Sequence, residues 1–172
     1  MTRARVTSAT LRVGSSLRIR ETMEIETLAS FDVNYDSKGL DFFFPKDFNF
    51  EPKLFDISQK FIVFIIGAKF QTKKLLQEQI EQICSSCQLP VLLIGGKDEK
   101  EEGEAIAAKY NHVYSACGTT NLLESAHIVK HAQLIITHDT GMMHIASAFQ
   151  KNIVSIWGNT VPEFGMYPFN IE

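Results

Sequence analysis

From Lys60 onward, short apolar, β-branched runs alternate with longer amphipathic stretches, and this alternation constrains the fold of the 172-residue chain more than any other feature. A parallel strand pair needs a crossover between its members, usually a helix, and its strands read as near-continuous apolar runs because both faces are covered. The pattern is therefore that of βαβ units on a parallel sheet, an α/β, Rossmann-like fold with flanking helices. It predicts strands over residues 61–66, 91–94, 113–115, 134–137 and 153–157. Helices are expected over about 75–87, 99–110, 122–131 and 140–149. Asn121 stands where it can cap the third helix, and Glu124, three residues on, can reach back to complete a capping box. No internal repeat is evident.

Upstream of this body the chain changes character. All five arginines lie in the first twenty residues, which hold no acid and no aromatic, whereas the remainder carries twelve lysines against twenty acids. Such a head resembles an organelle targeting peptide, and the competing reading, which we prefer, is a foreign or mis-assigned start. Between head and body, residues 31–55 are dense in phenylalanine, Asp, Lys, Pro and Asn without sustained periodicity, and read as a linker with anchors. The net charge of −3 gives no reason to expect nucleic-acid binding. The longest apolar run, residues 61–66, is far too short to span a bilayer.

Three cysteines do not make a disulfide framework. Cys84 and Cys87 form a C-x-x-C at the end of a helix, where no N-terminal dipole lowers a thiol pKa and no second pair completes a zinc site, so a packing role is expected. His112, His127 and His131 show no metal-ligand spacing. His138 and His144 flank Asp139 without an obvious third ligand, so no metal is assigned.

In open parallel sheets ligands bind outside the carboxyl ends of the strands, here loops 67–74, 95–98, 118–121 and 138–141. The last holds Asp139-Thr140-Gly141, with Asp139 where an N-cap belongs and a glycine that lets a ligand approach the backbone. Met142, Ile145, Ala146 and Phe149 follow helical spacing and are expected to form the buried stripe, with His144 off it and one turn beyond Thr140. A hydroxyl, free amides and an imidazole near one helix start suit a diphosphate. Two other readings stand beside it: a plain cap and tight bend with a solvated histidine, or the Asp-Thr-Gly of an aspartic peptidase. The peptidase needs an all-β setting and a second Asp from another lobe, and the helical stripe after the triplet argues against it.

The runs THDTGMMHIASAF and IVSIWGNTVPEFG resemble glycosyltransferase family 9, the ADP-heptose:lipopolysaccharide heptosyltransferases, whose donor-binding half carries Asp, Ser or Thr, Gly and, three residues later, His. The similarity spans roughly residues 58–169. IIGAKFQTKKL resembles the loop whose lysine binds donor phosphate, with Lys73 the best match and Lys74 and Lys69 as register alternatives. LLIGGKDEKEEGEAIA resembles the segment whose carboxylate receives the nucleoside ribose, Glu99 being preferred over Asp98, and CGTTNLLESAHIVKHA resembles the segment before the signature helix. The resemblance thus implies donor-phosphate contacts at Lys73, Asp139, Thr140, Gly141 and His144 and donor-nucleoside contacts at Glu99 and Asp98, with no cofactor. Without the resemblance, the lysines read as a solvated turn and the two acids as ordinary residues of a helix start.

The resemblance implies the C-terminal donor half of a GT-B enzyme that transfers heptose, with inversion, from a nucleotide-diphosphate sugar to lipopolysaccharide core. Residues 1–22 are then a foreign or disordered head, 23–57 a linker region, and 58–172 the donor-binding domain, truncated at its C-terminal end. The general base and the lipopolysaccharide acceptor belong to an N-terminal domain expected to be missing, so the chain is expected to be inactive alone. Cytoplasmic placement is expected, with at most peripheral association at the inner membrane. The alternative is a non-catalytic nucleotide-binding module.

Overall fold

The computed structural model describes residues 40–53, 55–158 and 168. Five strands, β1 (Ile62–Ile65), β2 (Val91–Ile94), β3 (Val113–Ser115), β4 (Leu134–His138) and β5 (Asn152–Ile156), form one parallel sheet in the order β3-β2-β1-β4-β5. Four helices connect them: α1 (Gln77–Ser86), α2 (Lys100–Ala107), α3 (Leu122–His131) and α4 (Gly141–Ala148). Single 3-10 turns at Gln71–Lys73 and Lys97–Glu99 precede α1 and α2.

The sheet is central because β1 and β2 are buried on both faces along their whole length. Alternate residues feed two cores. Ile62, Phe64 and Ile66 pack with Ile80, Cys84 and Ile106 under α1 and α2. Phe61, Val63 and Ile65 pack with Ile128, Val129 and Ala146 under α3 and α4. From β1 the chain winds outward through β2 to β3, then crosses to the opposite side of β1 to lay down β4 and β5. Ile65 pairs with Ile94 on one side and with Thr137 on the other, so the order of the chain reverses between β1 and β4.

The Asn121 cap forms as expected: its Oδ1 accepts the Glu124 N–H at 3.0 Å while Glu124 accepts the Asn121 N–H at 2.8 Å. The C-x-x-C pair is free; Cys84 is buried, its thiol pushed up to about 12 by desolvation, and that of Cys87 is raised by the same cause. Neither has the low-pKa environment of a reactive thiol.

Three expectations are corrected. The second helix is shorter than 99–110, because the 3-10 turn over Lys97–Glu99 replaces its start and backbone turns from Lys109 to Ile106 and from Tyr110 to Ala107 replace its end. In α4 the fully buried face is Met143, Ala146 and Ser147, while Met142, Ile145 and Phe149 are only half-buried. The small side chains of Ala146 and Ser147 form the buried face, and the aromatic segment upstream meets the flank that carries Phe149. Phe44 stacks on Phe149 with centroids 5.9 Å apart and on Phe48 at 4.9 Å, and Phe42 meets Phe149 edge-on at 5.4 Å. The N-cap of α4 is Thr140, not Asp139, whose carboxylate accepts from the Lys73 ammonium. The readings made for residues 1–39, 54, 159–167 and 169–172 lie outside the described residues.

Candidate functional site

The loops at the carboxyl ends of β1, β2 and β4 meet around two lysine–carboxylate pairs. After β1 the chain runs through Gly67 to the 3-10 turn that ends at Lys73. The Lys73 ammonium donates to Asp139 Oδ2 at 2.5 Å, across the gap where strand order reverses. The next residue, Lys74, turns the other way and donates to Glu99 Oε1, in a pair whose side chains are 11% and 7% exposed. Adjacent lysines thus tie one loop to the ends of two different strands, β4 and β2.

Glu99 is seated by its own turn as well. Its Oε2 accepts the Gly96 N–H at 2.7 Å. A Cβ on Gly95 would stand 2.7 Å from the Glu99 Cβ, so only glycine lets the turn close over this side chain. Asp98, one residue earlier, is exposed. Gly118 joins the cluster through its N–H, which donates to the Gly95 carbonyl at 3.0 Å.

At the start of α4, Thr140 and His144 are half-buried, and a Cβ on Gly141 would meet nothing within 4 Å. Among the described residues nothing covers the approach to this helix end, next to the Lys73 ammonium. An N-terminal helix end carries partial positive charge, so ammonium and amides together favour an anion here.

Of the residues singled out from the sequence, Lys73, Asp139, Thr140 and Gly141 are brought together, with His144 one turn along α4. Glu99 faces them through Lys74, Asp98 points to solvent, and Lys69 lies exposed with its ammonium 5.6 Å from the Phe70 ring centre. Two participants were missed. His138, fully buried, has its Nε2 3.1 Å from the Leu75 N–H donor. Gly158 lies so close to the lysine loop that an added Cβ would stand 2.3 Å from the Thr72 carbonyl oxygen. A polar residue at the end of an otherwise apolar strand was the available signal for His138. Gly158 gave none, because its neighbour is eighty-odd residues upstream.

Among the described residues no group of three His, Cys, Asp or Glu side chains is placed to hold a metal ion.

A doubly wound parallel sheet with an anion-favouring helix start at its switch point defines the class of Rossmann-like ligand-binding domains. More narrowly, the chain belongs to glycosyltransferase family 9 (heptosyltransferase), whose sequence profile matches residues 19–170. It is 30% identical over 79 residues to lipopolysaccharide heptosyltransferase 2 of Salmonella typhimurium, a match covering 43% of this chain and 23% of the relative. Lipooligosaccharide heptosyltransferase 2 of Haemophilus influenzae matches to the same extent. Among solved structures, Escherichia coli heptosyltransferase WaaC with ADP superposes with a TM-score of 0.58 at 19% identity, over 67% of this chain and 37% of that one. The family 9 glycosyl transferase of Veillonella parvula superposes with a TM-score of 0.57 at 18% identity, over 91% of this chain and 39% of that one. The chain thus spans less than half the length of the proteins it matches. The GT-B heptosyltransferase neighbours agree with the α/β fold expected from the sequence.

Proposed function

We propose that this chain binds the nucleotide-diphosphate sugar donor of a heptosyltransferase, ADP-heptose by the reading of its relatives, for inverting transfer to a lipopolysaccharide-core hydroxyl. The observation that carries the reading is the Lys73–Asp139 pair beside the open start of α4. In this reading the donor's diphosphate lies against the first turn of α4, contacted by Thr140, the Gly141 backbone and His144. Asp139 holds the Lys73 ammonium where charge builds on the leaving diphosphate. A flexible ammonium can follow that charge, and a fixed helix end stabilises it without reorganisation. Glu99 takes the ribose: its two carboxylate oxygens offer about four acceptor positions, of which Lys74 and Gly96 use two. Exposed Asp98 supplies a second acid at the same rim. The acceptor hydroxyl must lose its proton to a base, a role assigned to none of the described residues.

No helix among the described residues is long and apolar enough to cross a membrane. We place the reaction in the cytoplasm, with contact to the inner membrane only through the lipopolysaccharide acceptor.

The test is thermal unfolding and calorimetry of the full chain with ADP. ADP is expected to raise the melting temperature, and Lys73→Ala or Asp139→Ala to abolish the rise. Unchanged ADP affinity in both folded variants would overturn the site, and no affinity in the parent chain would overturn the reading itself.

A further inference from the structure

Asp139 and His138 are consecutive, and both grip the same loop. Asp139 takes the Lys73 side chain, and His138 takes the peptide that follows Lys74, through the Leu75 N–H donated to its Nε2. The imidazole is inaccessible to solvent and lies beside the Phe64 ring, with centroids 6.3 Å apart. Its Nδ1 lies near the Ile65 carbonyl but has no hydrogen bond of ordinary geometry among the described residues. A buried imidazole with one unsatisfied nitrogen costs stability that an apolar residue of the same size would not. Burial pushes its pKa down to about 4, so the ring is neutral near pH 7 and Nε2 keeps the lone pair that the Leu75 amide needs.

Besides this bond, the loop is held by the buried Leu75 side chain and by the two lysine–carboxylate pairs themselves. Its 3-10 turn has no buried residue and no side-chain cap, and Phe70 beside it is 55% exposed. Gly158 limits how far Thr72 and Lys73 can move toward β5, but contact alone does not set their rotation. The hydrogen bond to His138 sets the direction of the Lys74–Leu75 peptide, the plane that directly follows the two lysines.

We propose that His138 is a positioning residue for donor binding: by accepting the Leu75 N–H it fixes the backbone that aims Lys73 at Asp139 and Lys74 at Glu99. The inference rests on the reading of this loop as the donor-phosphate loop.

Two variants separate the hydrogen bond from the filled space. His138→Leu keeps an apolar side chain of similar size without an acceptor, and His138→Gln restores an acceptor oxygen. In hydrogen exchange on the full chain without nucleotide, the Leu75 amide is expected to lose protection in His138→Leu and regain it in His138→Gln. Calorimetry with ADP is expected to show affinity falling roughly tenfold in His138→Leu, the scale of one lost buried hydrogen bond, and recovering in His138→Gln. Equal ADP affinity in the folded leucine variant, or no recovery in His138→Gln, would overturn the proposal. If the parent chain binds no ADP, the donor reading fails instead, and an unchanged Leu75 exchange rate would then overturn the positioning role on its own.

Discussion

The site is built from residues whose neighbours in space lie far away in sequence, and its acid–base behaviour follows from that burial. His138 titrates near 4 in the fold against an ordinary 6.5, because desolvation disfavours its charged form and the Lys74 ammonium adds to the effect, with Glu99 opposing. Between these values the unfolded chain binds a proton that the folded one does not, so stability falls with acid. The contribution is fully present above pH 6.5 and is lost as pH drops toward 4. The loss is on the order of 3 kcal/mol, from about 1.4 kcal/mol per pKa unit. Denaturant unfolding at pH 7 and pH 4 is expected to show the parent chain losing more stability than His138→Gln by about that amount. Equal losses would mean that the imidazole is not the group responsible. The composition of this site was legible in the sequence, since Lys73, Asp139, Thr140, Gly141 and Glu99 are all drawn to one end of the sheet. Its pairing was not. Asp139 sits where an N-cap belongs, and no local rule says that a lysine 66 residues upstream takes its carboxylate instead.

Elements follow the same division between local and long-range causes. Strands β2 and β3 and helix α3 fall where the alternation puts them, because each is bounded by local signals: Gly95, Asn121 with Glu124, and the apolar-to-polar changes. The Asn121–Glu124 box should therefore be separable from tertiary context. Asn121→Ala is expected to cost about 1 kcal/mol of unfolding free energy by denaturant titration, with nucleotide affinity unchanged. A loss well above that would show that Asn121 supports more than the end of α3. Helix α4 shows where local signals stop. It offers apolar residues at 142, 143, 145, 146, 148 and 149, enough for two overlapping stripes, and the sheet selects the one through Met143, Ala146 and Ser147. The choice depends on Phe42 and Phe44, which cover the flank near Phe149. Those phenylalanines read as anchors without an address. Their position over α3 and α4, with the Lys130 ammonium 5.5 Å from the Phe44 ring centre, is a tertiary fact.

At the scale of the whole molecule, the order β3-β2-β1-β4-β5 makes β1 the strand that both halves share. Its four residues are buried on both faces and bonded on both edges, so they can open only when the sheet opens. Native-state hydrogen exchange is expected to be slowest over Ile62–Ile65 and faster in β3 and β5, each paired on one side only among the described residues. Exchange from β5 as slow as from β1 would show a further partner along that edge.

The same topology places Lys73 and Lys74 between two internal carboxylates, and this bears on which solutes can be told apart. A lone orthophosphate arriving there would have to compete with the contacts that Lys73 and Lys74 already make to Asp139 and Glu99. A nucleoside diphosphate can meet that cost with the contacts of its ribose and base as well as its phosphates. On the proposed donor reading, discrimination against the abundant small anions of a cell would be set by the protein's own resident carboxylates, not by the size of the opening.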